Sequence, residues 1–217
     1  MSLCEITPTL FLGGADAALN GAMVTRKGIT LMVNATLSHP CPAYPGVQVL
    51  RVPVRDLPDA RLGDHFDPVG RRIHSNRTGG TLVYCAAGRS RSPALIMAYL
   101  MKYRGVTLRQ AHLWVRNSRP CVSINIGFWE QLLSYERRLY GDNTVRIEPT
   151  LPVVGTHLPS ALSRYRWSDK SHQQSPVVTS RHRSPRSPVG TSRRKLTSKL
   201  LRLQFVTSLE RLNKSPG

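Results

Sequence analysis

A cysteine with an arginine six positions later can attack a phosphate ester and hold it while doing so. This chain carries that pair in Cys85-Ala86-Ala87-Gly88-Arg89-Ser90-Arg91-Ser92. Four cysteines and 25 arginines in 217 residues make the bare spacing a chance event in about every second such chain. The flanks therefore have to decide. Gly80-Thr81-Leu82-Val83-Tyr84 before the pair has the composition of a short buried strand. Pro93 through Met101 after it predicts a buried helix with proline in its first turn, where a missing N–H costs nothing. A loop from a strand end to a helix N-terminus converges backbone N–H groups and the positive end of the helix dipole on one point. Such a point favours a phosphate dianion, and the same field favours a thiolate.

Monoester chemistry needs a nucleophile, a cradle for three oxygens and a proton for the departing oxygen. Cys85 supplies the first. The N–H groups of Ala86, Ala87, Gly88, Arg89, Ser90 and Arg91 supply the second, and the Arg91 guanidinium adds a two-pronged donor that lysine cannot imitate. Ser92 is placed to hydrogen-bond the sulfur and ease its departure. For the proton, Val49 to Asp59 reads as a strand running into a loop, with Asp56 at the strand end and Asp59, Asp64 and Asp67 beyond it. Spacing does not choose among these carboxylates.

The run from Val83 to Leu100 resembles the signature of the cysteine-based protein tyrosine phosphatases, in particular their small dual-specificity branch. The resemblance covers residues 4–150 or so. Ile6 to Gly13 looks like that family's opening strand, and Gly28 to Ala35 like its next core strand with an asparagine. Arg119-Pro120 and Asn125 to Leu132 look like the segment that leads into its last helix. The compact atypical members without a kinase-docking domain are the nearest likeness. By that resemblance Cys85 is the nucleophile, Arg91 the phosphate-binding arginine, Asp56 the general acid and Ser92 the hydroxyl assisting hydrolysis. Tyr84 and Asn125 fall where the family supports its loop. The implied activity is hydrolysis of phosphotyrosine and phosphoserine/threonine in proteins through a phosphocysteine, with no metal and no cofactor. Kinases are among the implied substrates. Two positions depart from the pattern. Tyr84 stands where the family has histidine, which predicts modest turnover, and Ile124 stands where it commonly has proline. The competing readings are a phosphoprotein-binding module, which Tyr84 favours, and a phosphatase for a non-protein ester.

Apolar strand-like and helix-like runs alternate through residue 140, the pattern of an α/β domain with a mostly parallel sheet covered by helices on both faces. Asp67 to His74 predicts a helix ahead of the Cys85 strand. Ala111, Leu113 to Val115, Phe128, Trp129, Leu132, Leu133, Tyr135 and Leu139 recur at helical spacing, and their aromatics are expected in the core. Cys4, Cys41, Cys85 and Cys121 lack metal or disulfide spacing, and no run suits a signal peptide or a membrane span. These observations point to a reducing compartment, cytoplasm or nucleus, as an oxidisable nucleophile requires.

Composition divides the chain into a catalytic domain over residues 1–150 and a tail over 151–217. The net charge is +19, and +11 of it lies in the tail, whose Ser-Arg-Pro content predicts disorder. Leu196, Leu200, Leu203, Val206 and Leu209 predict one short amphipathic helix within 193–212. That helix suits an acidic partner or an anionic membrane, and Arg193-Arg194-Lys195 suits nucleic acid or nuclear import.

Overall fold

The computed structural model describes residues 3–149 and 165–169. The expected 193–212 helix and most of the tail lie outside those residues. Within the tail, β7 (Tyr165–Asp169) pairs antiparallel with β6 (Val145–Pro149).

Five strands form the main sheet: β1 (Cys4–Thr7), β2 (Leu10–Gly14), β3 (Ile29–Asn34), β4 (Gln48–Arg51) and β5 (Gly80–Cys85). Their spatial order is β1-β2-β5-β3-β4. All neighbours run parallel except the β1–β2 edge pair, as the alternating pattern predicts. The Cys85 strand is central, and all six of its residues are buried. Ile6 to Gly13 is therefore two strands rather than one. Pro8 has no N–H for a ladder, and the chain turns there.

The two faces of the sheet are covered unequally. Alternation along β5 sends Val83 and Cys85 to one face and Leu82 and Tyr84 to the other. The Cys85 face packs on α3 (Phe66–Ser75), α4 (Arg91–Arg104), α5 (Leu108–Ser118) and α6 (Ile126–Tyr140). The Tyr84 face is covered by the short α1 (Ala15–Ala18) and α2 (Gly21–Arg26). Helix α4 is the hub. Every residue from Arg91 to Met101 is buried, so its sequence is apolar all round rather than striped. It ends on Gly105 at φ 66°, the left-handed cap that glycine adopts freely.

Phe128, Trp129 and Tyr135 are buried as expected, but Trp114 and Leu113 are not. Ala111 and Val115 hold the inner face of α5, which turns positions 113 and 114 outward. The Trp114 indole N–H donates to the Ile6 carbonyl at 2.9 Å instead. Buried Glu136 joins the chain beyond α6 back to α5, accepting from the Leu108 and Thr144 amides and from the Thr144 hydroxyl.

Candidate active site

The loop from Cys85 to Arg91 leaves the central strand and enters α4, so its shape is the first question. Five consecutive carbonyls are each engaged by a donor elsewhere in the fold. Ala86 O accepts from the Ala15 amide at 3.0 Å, and Arg89 O from the Ser123 amide at 2.9 Å. The buried Arg119 donates through Nη2 to Ala87 O at 2.9 Å and through Nε to Gly88 O at 2.7 Å. Ser90 O accepts the first α4 bond, from Ala94. In a trans peptide the N–H points opposite to the C=O, so the amides of Ala87 through Arg91 all face inward. Gly88 makes this curl feasible. Its φ is 66°, and a Cβ there would stand 2.5 Å from the Gly13 carbonyl oxygen.

Cys85 ends β5 where this loop begins and is almost wholly buried. The Ser92 hydroxyl, on the first turn of α4, donates to Sγ at 3.2 Å. Arg91 is buried as well. Its Nη1 donates to Val54 O at 3.1 Å, which leaves the Nε–Nη2 edge for a ligand. The Nε proton is buried without a hydrogen-bond partner. A buried guanidinium donor of this kind, beside backbone amides, suits an oxyanion.

Opposite the loop stands Asp56. Its Oδ1 accepts from the Ser90 hydroxyl at 2.7 Å and from Asn125 Nδ2 at 2.8 Å. Its Oδ2 lies 3.6 Å from Arg91 Nε. Asp56 is not at a strand end as the sequence suggests. Strand β4 stops at Arg51, because Pro53 cannot donate to a ladder, and Asp56 sits five residues further along a loop whose Val52 and Val54 are buried. Of the other candidate carboxylates, Asp64 pairs with Arg61. Asp67 binds Lys102, Tyr135 and Arg138 at the α3–α4–α6 junction. Burial acts to raise the Asp67 pKa, but those three donors outweigh it and hold the carboxyl well below the usual range.

Of the two residues expected to support the loop, Asn125 reaches the site and the Tyr84 side chain does not. Tyr84 lies on the far face of the sheet with Phe11, Val24 and Met32. Burial, with Cys41 alongside, pushes its phenol above the ordinary range. Arg89 is exposed and bonds the Cys121 carbonyl at 3.1 Å. Sequence reasoning missed Arg119 as the brace of the loop and Ser90 as a side-chain partner of the acid. Their partners stand about 30 residues away along the chain, where no local pattern reaches.

The catalytic-domain model of the dual specificity phosphatases matches residues 10–138. The chain belongs to that family. Human dual specificity protein phosphatase 14 is 45% identical over 150 residues, spanning 68% of this chain and 76% of its own. Human dual specificity protein phosphatase 18 is 44% identical over 147 residues, or 67% and 78%. Among solved structures, human DUSP28 matches with a TM-score of 0.61 at 43% identity, over 63% of this chain and 94% of that one. A mouse putative dual specificity phosphatase complexed with zinc tungstate matches with a TM-score of 0.62 at 42% identity, over 64% and 89%. This dual specificity phosphatase is a protein phosphatase, a hydrolase of phosphotyrosine and phosphoserine/threonine esters.

Proposed function

We propose that the reaction runs through a phosphocysteine on Cys85. The observation that carries this reading is the set of five outward carbonyls, which commits the inward amides to an oxyanion. The thiolate attacks phosphorus while the loop amides and the open edge of Arg91 hold the equatorial oxygens. As the S–P bond forms and the P–O bond breaks, Asp56 transfers its proton to the departing oxygen. Water then attacks the phosphocysteine, giving up a proton to Asp56, and the Ser92 hydroxyl stabilises the sulfur as it leaves as thiolate. No step needs a metal or a cofactor.

The physiological substrates are phosphorylated proteins, with kinases among them, and the enzyme works in the reducing environment of the cytoplasm or nucleus. A free, buried nucleophilic thiol supports that placement. The basic tail engages acidic partners, nucleic acid or anionic membrane. Its +11 net charge supports this. An inactive binding module is the weaker reading, because one short loop carries the thiol and the arginine and contacts the carboxylate through Ser90 and Arg91. A phosphopeptide panel with wild type and Cys85→Ser tests the proposal. Turnover by wild type and trapping by the variant are expected. A panel on which wild type binds without hydrolysis would return the binding module to first place.

A further inference from the structure

The acid is held by more than proximity. Asn125 caps α6, its Oδ1 accepting from the Phe128 amide at 3.0 Å. That bond fixes which end of the side-chain amide carries hydrogen, so the other end must donate, and it donates to Asp56 Oδ1. The Ser90 hydroxyl is oriented in the same way. Its oxygen accepts from the Asn125 backbone N–H at 3.3 Å, and its proton is directed to the same Asp56 Oδ1 at 2.7 Å. Ser90, Asn125 and Asp56 thus close a triangle in which the direction of every hydrogen bond is determined. Ser90 is almost wholly buried, and it belongs to the loop that cradles the phosphate. The other carboxylate oxygen, Oδ2, receives neither donor and faces Arg91.

We propose that the Ser90 hydroxyl and the Asn125 amide are positioning residues that occupy Oδ1 of Asp56 and so reserve Oδ2 for the proton that reaches the leaving oxygen. An oxygen that already accepts two hydrogen bonds is a poor place for a proton, which leaves Oδ2 as its seat. When substrate enters, a phosphate oxygen takes over Arg91 Nε, and Oδ2 is freed towards the ester oxygen. The proton then passes from Oδ2 as the P–O bond breaks, with no further reactant. Because Ser90 is itself part of the cradle, the acid is set in register with the bound phosphate. The backbone of the acid segment is pinned to the same helix. A Cβ at Gly127 would collide with the Pro58 carbonyl, and Gln131 accepts from the Gly63 amide at 2.6 Å while donating to Ala60 O at 2.9 Å. This inference rests on Asp56 being the acid.

The test compares phenyl phosphate, whose leaving group needs a proton, with 2,4-dinitrophenyl phosphate, whose leaving group does not. Inhibition by tungstate serves as a separate reading of the cradle. Ser90→Ala is expected to lower kcat/KM, which reports the steps up to phosphoryl transfer, about tenfold on phenyl phosphate and less than about twofold on the dinitrophenyl ester, with tungstate inhibition unchanged. Ser90→Thr, which keeps the hydroxyl, restores the phenyl phosphate rate. Equal losses on both esters with weakened tungstate inhibition would make Ser90 a part of the cradle only, and no loss on either would make its hydroxyl idle. Both results overturn the clamp. Should Ser90→Ala not fold, Asn125→Ser keeps the helix cap but cannot reach Asp56. It must show the same dependence on leaving group, or the clamp is wrong. A flat profile for Asp56→Asn would instead overturn the assignment of the acid.

Discussion

The phosphate loop and the segment carrying Asp56 meet through Ser90 and Arg91 but are built in different ways. The loop is eight contiguous residues between a central strand and a helix start, its curl permitted by a glycine and held mainly by backbone carbonyls that accept from Ala15, Arg119 and Ser123. The acid segment, residues 52–64, runs outside the sheet over most of its length and keeps its place through side chains from far along the chain. Asn125 lies 69 residues from Asp56, and Gln131 lies 68 and 71 from its two contacts. Damage to the loop should therefore abolish chemistry on every substrate. Damage to the acid side should be felt in kcat/KM mainly by substrates whose leaving group needs a proton, because hydrolysis of the phosphocysteine is a later step shared by all of them.

Cys85→Ser breaks the loop side most completely. It should lower turnover by about 10⁴-fold or more on all esters while leaving phosphopeptide binding intact, because the amides remain and a hydroxyl is not ionised. Steady-state hydrolysis of p-nitrophenyl phosphate beside a pull-down of phosphopeptide measures both. A variant hydrolysing at near the wild-type rate would end the phosphocysteine mechanism. Asp56→Ala breaks the acid side. It should cost about 10²–10⁴ in kcat/KM on poor leaving groups and much less on good ones. Asp59→Ala, removing an exposed neighbour, should show no such dependence; if the two variants exchange behaviour, the acid is three residues further on.

Gln131→Ala sharpens the contrast at a distance. It removes the tie between α6 and the acid segment, and should cost a few-fold on phenyl phosphate with tungstate inhibition unchanged. An equal loss on all esters would mean that the acid segment also shapes the cradle. Tyr84→His asks whether the opposite face of the sheet reaches the loop at all. A gain of a few-fold in kcat/KM near neutral pH is expected from restoring the residue of the family pattern. An unchanged value would mean that tyrosine is simply tolerated behind the strand.

Asp67→Asn should leave catalysis alone and act on stability. The Asp67 carboxyl is held below its ordinary range in the fold, so its contribution is fully present above the unfolded pKa and is lost as pH falls through the folded one. With three partners, two of them partly exposed to solvent, that contribution is about 2 kcal/mol. The Tm gap between wild type and variant should be widest near neutrality and close between about pH 5 and about pH 2. A gap that does not change with pH would mean that the carboxyl is not charged-paired in the fold.

Much of this molecule was legible in its residues alone. The parallel α/β pattern, the strand–loop–helix around Cys85 with Arg91 and Ser92 opening the helix, and the helix near Asp67 all depend on neighbours within about ten positions. Periodicity and turn chemistry report that range. Hydrophobic pattern did not separate the exposed Trp114 from the buried Trp129, because helix phase depends on which face the rest of the protein covers. The split of Ile6 to Gly13 at Pro8 and the end of β4 before Pro53 are local effects of prolines that lack an N–H for the ladder. What only tertiary structure decided is how the acid meets the loop. Among four aspartates of similar local setting, Asp56 alone receives donors from both Ser90 and Asn125. The carbonyls that turn the cradle inward are held by Ala15, Arg119 and Ser123. Hydrogen bonds between side chains and backbone across long stretches of chain leave no periodic trace in sequence, since any residue with the right donor could sit at either end. The Cys85 loop was therefore written locally, while the contacts that shape it and bring Asp56 to it exist only once the chain has folded.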